Sequence, residues 1–222
     1  MTYIVLVLPA IIFALWAQAN VKSAFNKYSK YRNSAGITGA DAANLILADA
    51  GISVPIESVG GKLTDHYDPR TNAIRLSDSV YNSTSTAAVG IACHEAGHAM
   101  QHNLGYAPIR IRNAIVPVCQ IGSNIAMPLV VLGLILSFPL LANIGVIAFL
   151  LATLFQLLTL PVEFDASRRA VAAINASGRF SAEESKQAEK VLRAAALTYV
   201  AALAVALANF IRILMLVNRR RK

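Results

Sequence analysis

Three long stretches of this chain hold no Asp, Glu, Lys or Arg: residues 2–21, 113–162 and 194–211. A helix of about 20 apolar residues crosses a bilayer, so the first and third stretches each read as one span. The middle one would be about 75 Å long as a single helix, too long for one crossing. Ser137-Phe138-Pro139 and Asn143 supply the break. The pattern predicts four spans, at about 3–20, 115–137, 143–162 and 194–217.

The polar stretch after the first span changes period. Thr38 is placed to cap a helix whose apolar face is Ala43, Leu45, Ile46, Leu47 and Ala50, with Gly51 as its stop. Ile52 to Val59 is β-branched and reads as a strand, at a sheet edge because of Pro55. Residues 63–67 and 73–77 flank Asp68-Pro69-Arg70-Thr71-Asn72, a hairpin signal. Residues 82–85 offer caps for a helix over about 86–103, ended by Gly105. The resulting layout is an anchor at 1–20, a small α+β domain at 21–112, a transmembrane hairpin at 113–162, a helical segment at 163–193, and a transmembrane or re-entrant helix with a basic tail at 194–222.

Composition supports a membrane protein. Of 222 residues, 56% are hydrophobic and 14% charged, against about 45–50% and 25% in soluble domains. Mean hydropathy is +0.53. Disordered, collagen-like and disulfide-scaffold classes are excluded. Ala17-Gln18-Ala19 imitates a signal-peptide cleavage site, but the basic residues follow the apolar run, as in an anchor with its N-terminus outside. Segment 21–112 holds nine Lys/Arg and 163–193 six, against Arg212 and Arg219 to Lys222 on the opposite side. That bias favours cytoplasmic placement of both polar segments of a multi-pass membrane protein, with the tail on the wrong side of the rule. The net charge of +8 matches interfacial anchoring to the lipid bilayer. No basic stripe carries interleaved aromatics, so nucleic acid is not an expected partner. Cys93 and Cys119 read as small buried hydrophobes.

The predicted 86–103 helix carries His94-Glu95-Ala96-Gly97-His98, an HExxH. Residues i and i+4 share a helix face, so both imidazoles can reach one Zn2+, with Glu95 beside them as base. Random placement would give about 0.002 such matches in this composition. A catalytic zinc needs a third ligand, and His102, His66, Asp165 and Glu163 are candidates. Glu163 is favoured: it is the first charge after the uncharged run, it follows the helix breaker Pro161, and two spans return it to the same membrane face as His98. A water activated by one zinc, with Glu95 as base, makes a peptidase mechanism. His66, Tyr67 and Arg169 are candidates for contacting substrate or the developing oxyanion.

These residues carry a resemblance. Trp16-Ala17-Gln18 with Val21-Lys22, Ile37 to Ala40, Leu63 to Arg70, His94 to His98, and Leu160 to Phe164 running on to Ala166–Ala170 resemble the bacterial neutral zinc metallopeptidases of the YugP type. The plan is similar to the HtpX-like membrane gluzincins, where HExxH is followed after membrane spans by ExxAD. The resemblance implies a mainly α membrane protein with a zincin-like (gluzincin) domain, His94, His98 and Glu163 on zinc, and a peptide or membrane-protein substrate. The alternative is a catalytically inactive zinc-binding scaffold or adaptor. Here the motif reads Glu163-Phe164-Asp165-Ala166-Ser167: Ser167 stands where the pattern has Asp. Asp165, two residues earlier on a helix, points elsewhere and is not expected to replace it.

Overall fold

The computed structural model describes residues 3–61 and 63–219. Lys62 and the tail residues Arg220, Arg221 and Lys222 lie outside the described residues. A π-helical turn, Tyr3–Val7, leads into α1 (Leu8–Tyr28). Then come α2 (Gly39–Asp49), β1 (Ile56–Val59), β2 (His66–Asp68), β3 (Ala73–Ser77), the short α3 (Asp78–Tyr81) and α4 (Thr86–Asn103). Three long helices follow: α5 (Ala107–Ile135), α6 (Pro139–Ala176) and α7 (Ala182–Arg219).

Among the described residues, four helices, Ile4–Tyr28, α5, α6 and α7, are long and apolar enough to cross a membrane. Their outward faces carry bare apolar side chains such as Val118, Ile121, Leu140, Ile147 and Leu157. In water such a surface would be costly, and a bilayer removes that cost.

α5 and α6 form a tight hairpin. The reversal runs through Leu136, Ser137 (φ +51°) and Phe138, whose N–H donates to Gly133 O at 2.9 Å. Pro139 opens α6 within its first turn, where its missing N–H costs nothing. Asn143 therefore lies inside α6 rather than in the break. A Cβ on Gly145 would meet Ala126 O at 2.7 Å, so the two backbones pack in direct contact.

The expectation that Pro161 breaks its helix fails. α6 continues through Pro161, and α5 contains Pro117 and Pro128. A proline removes one ladder hydrogen bond, but an apolar helix held by neighbours tolerates that loss. α6 is held by several neighbours: it packs on α4, α5 and α7. The polar segment after the spans is thus not a separate helix but the continuation of α6, a turn at 177–181, and the start of α7. α7 is an unbroken helix from Ala182 to Arg219, with no turn for re-entry.

The small sheet has order β1-β3-β2, with β1 parallel and β2 antiparallel to β3. The predicted hairpin forms, pairing His66 with Arg75 and Tyr67 with Ile74. β1 is an edge strand and starts only after Pro55. Thr38 caps α2 by accepting from Asp41 N, and Ser85 caps α4 by accepting from Ala88 N, as the residue types dictate. One core joins α2, the sheet, α4 and the adjoining ends of α6 and α7 around Ile46, Leu47, Ile74, Leu76, Ile174 and Leu192. Helix α4 is its centre, and it is lined with Ala and Gly so that neighbours come close. A Cβ on Gly97 would meet Ala166 O of α6 at 2.5 Å. That close approach of α4 and α6 positions the site.

Candidate metal centre

His94 and His98 sit one turn apart on α4, their rings 4.7 Å apart and nearly perpendicular. Glu163 arrives from α6, opposite them. Its Oε2 lies 3.3 Å from His94 Nε2 and 3.4 Å from His98 Nε2. These three residues are the group among the described residues whose ligand atoms converge, all within 4.8 Å of one another. His102 is instead packed against the Tyr67 ring, 5.8 Å between centroids. His66 is exposed on β2, and Asp165 points away to arginines.

The donor chemistry fits Zn2+. Tetrahedral ligands at about 2.0–2.1 Å from the ion are separated from one another by about 3.3–3.4 Å, which is the spacing of both nitrogens from Glu163 Oε2. Burial works against a charged His98, yet the Glu163 carboxylate outweighs it and raises the His98 pKa. The field that favours a proton there also favours a cation between the three side chains.

The imidazoles are held from behind. His94 Nδ1 is 3.1 Å from Ser167 Oγ, so Ser167 fills the position where the similar pattern has Asp. His98 Nδ1 is 3.0 Å from Gln101 Oε1. Gln101, itself fully buried, donates through Nε2 to Val162 O at 2.8 Å and to Asp165 Oδ2 at 3.0 Å. Asp165 touches neither imidazole directly, and it is wired to His98 through the Gln101 amide. Arg168 and Arg169 pair with its carboxylate. With both Nδ1 atoms occupied by oxygen acceptors, each Nε2 is free to face a metal.

Glu95 lies beside the cluster. Its Oε2 accepts the Tyr67 backbone N–H at 2.9 Å, so β2 fixes its carboxylate. The Tyr67 hydroxyl donates to Asn72 at 2.7 Å, which leaves the Tyr67 backbone as its contribution. Arg169 is turned to Asp165 and stacks over Tyr106, and it does not line the cleft. A cleft of about 420 Å3 opens over the site, and its walls include His66, Asn113, Ile91 and Ala195. Two of its residues escaped the sequence reading. Arg112 approaches Glu163 Oε1 at 3.8 Å, and its buried Nε has no hydrogen-bond partner. Tyr199 of α7 also lines the cleft and interacts with Glu163 through its hydroxyl. Arg112 had one signal available: it is the last charge before the uncharged run, as Glu163 is the first after it.

Over residues 3–218 the chain matches the family described as "Putative neutral zinc metallopeptidase". It is 45% identical over 217 residues to the "Putative membrane protease YugP" of Bacillus subtilis (strain 168), covering 97% of this chain and 96% of that protein. No solved structure matches it.

Proposed function

Because the chain belongs to this zinc metallopeptidase family, we propose that it is a membrane-embedded, zinc-dependent endopeptidase of the gluzincin type, with His94, His98 and Glu163 as metal ligands and Glu95 as general base. The observation that carries the reading is the pair of 3.3 and 3.4 Å separations around Glu163 Oε2, with Glu95 next to them in an open cleft.

Bound zinc supplies Lewis acidity to a water and to the scissile carbonyl. The chain's own groups do the rest. Glu95 takes the proton of the attacking water and returns it to the leaving amine. Its Oε2 is held by the Tyr67 N–H, which leaves Oε1 unshared for that transfer. Arg112 brings positive charge to the side of Glu163 where the carbonyl oxygen turns negative, and Tyr199, hydrogen-bonded to Glu163, lines the same cleft. His66 Nδ1 is engaged by Thr64 O at 2.7 Å, which presents its other nitrogen for a substrate contact at the mouth. The excess of lysines and arginines in the segments flanking the spans supports reading this cleft as lying at the cytoplasmic face of a multi-pass inner-membrane protein, suited to flexible ends of membrane proteins.

The test joins metal analysis to cleavage. Purified protein should contain stoichiometric zinc, and Glu163→Ala should lose it. Wild type in liposomes should cleave an unstructured protein such as casein, and Glu95→Gln should bind zinc but not cleave. Zinc without cleavage in the wild type would leave the inactive scaffold as the reading, and absence of zinc would overturn the site.

A further inference from the structure

The outer face of α5 carries a feature the catalytic site does not use. Asn113, Gln120 and Asn124 are spaced i, i+7 and i+11, which puts them within about 20° of one line along a helix. Asn113 lines the cleft. Gln120 and Asn124 are exposed on the outside of the helix, and neither side chain makes a hydrogen bond among the described residues. Beside them, Gln120, Ser123 and Gln156 of α6 line a shallow cavity of about 250 Å3.

Depth makes this unusual. Arg112 and Glu163 bound the uncharged stretch, so they mark the membrane boundary. At 1.5 Å per residue, Gln120 lies about 12 Å and Asn124 about 18 Å beyond Arg112. The midplane of a bilayer with a 30 Å core lies about 15 Å in. Two bare amides therefore straddle the middle of the hydrocarbon. Pro117 and Pro128 add to the problem, because each lacks the N–H that the Asn113 or Asn124 carbonyl would accept. Acyl chains satisfy none of these groups, and in membranes such residues bind other helices.

We propose that this α5 face docks the transmembrane helix of a membrane-anchored substrate and delivers the chain segment next to it into the metal cleft. The occupant follows from continuity: the line that begins at the exposed amides ends at Asn113, inside the cleft, so a helix lying along it brings its cytoplasmic end to the metal centre. A lipid would not need the amides, and a second copy of this chain would not need the connection to the cleft. The inference rests on the peptidase reading, and its test separates the two.

The probe is a single-span Leu/Ala helix with a central Asn, carrying a fluorogenic peptide at its cytoplasmic end, in liposomes with the full chain. With a benzophenone amino acid in place of Gln120, in a Glu95→Gln background, illumination should cross-link the probe, and less so when its Asn is replaced by Leu. In the active protein, Gln120→Leu with Asn124→Leu should slow cleavage of the anchored probe by about tenfold, the loss of two modest intramembrane hydrogen bonds, and leave the same peptide free in solution unaffected. Absence of the cross-link, a cross-link only to a second copy of the chain, or equal slowing of both substrates would overturn the docking proposal. Cross-linking without cleavage of either substrate would instead overturn the peptidase reading and leave the docking face standing.

Discussion

Gly97→Ala should disassemble the metal site from a position that supplies no ligand atom. Mid-helix, replacing Gly by Ala normally adds about 1 kcal/mol of stability. Here the new Cβ would lie 2.5 Å from Ala166 O, 3.1 Å from its carbonyl carbon and 3.2 Å from its Cα. A relaxed contact between a carbon and a carbonyl oxygen is about 3.3–3.6 Å, so α4 and α6 must part by about 0.8–1 Å. The obstructing atoms are backbone, and no rotamer change relieves them. Overpacking of this kind costs about 1–3 kcal/mol, which exceeds the propensity gain, and the variant should be slightly destabilised. The larger effect is on the metal. Ala166 is three residues from Glu163, so the same shift moves the carboxylate from 3.3 and 3.4 Å off the two nitrogens to about 4 Å or more, while ligand distances tolerate only about 0.2 Å. Zinc affinity, measured by competition with a fluorescent chelator, should fall at least as far as the about 10–100-fold seen when metal-ligand supports are removed. Gly122→Ala is the control, since its Cβ would sit at an ordinary 3.6 Å from Ala148 O, and it should bind zinc normally. If Gly97→Ala held zinc as tightly as wild type, the close approach of α4 and α6 would not be what positions Glu163.

Four further outcomes are expected. Gln101→Leu removes the acceptor of His98 Nδ1, and zinc affinity by the same competition assay should fall about 10–100-fold. Ser167→Ala, which frees His94 Nδ1, should lower it by about tenfold at the accessible end of that range. Asp68 is held below the usual carboxylate range first by the Arg70 backbone N–H and then by Arg75; its folded pKa is depressed, so its contribution is present above the unfolded value of about 3.9 and lost as pH falls. Asp68→Asn should flatten the acid side of a melting-temperature profile. Burial pushes the Cys93 thiol well above its usual range, and alkylation at neutral pH, followed by mass spectrometry, should leave Cys93 unmodified until the protein is unfolded.

What could be read from the chain was local in origin. Missing charges reveal apolar helices because one property repeats over 18 or more residues, and HExxH reveals a shared face because i and i+4 always lie together on a helix. Thr38 and Ser85 cap their helices for the same local reason. Pro161 shows where local reasoning stops: the residue disfavours a helix by itself, but the packing of α6 on α4, α5 and α7 outweighs the lost hydrogen bond. Arg112 and Tyr199 belong to the cleft only because α5 and α7 converge on Glu163, and no spacing in the sequence encodes that convergence.

Asp165 shows a subtler failure. Counting about 100° per residue, Glu163, Ala166, Ser167 and Ala170 fall on one side of α6, the side that meets α4. Their mean direction lies about 150° from Asp165, so the side chain does leave the shared face, as the count says. The count nevertheless treats a helix face as the limit of contact, and Gln101 is long enough to cross it. Its amide passes the Val162 carbonyl on the way, bonding it at 2.8 Å, and reaches Asp165 at 3.0 Å while its oxygen stays on His98. A carboxylate directly on His98 would place a second negative charge beside Glu163. The amide relay keeps that charge one side chain further away, where Arg168 and Arg169 neutralise it at the membrane boundary. This gives Gln101→Glu a definite sign: the added carboxylate on His98 Nδ1 also meets Asp165, so zinc binding should weaken, whereas a Gln101 that only filled space would lose stability on burying the carboxyl but leave zinc affinity unchanged.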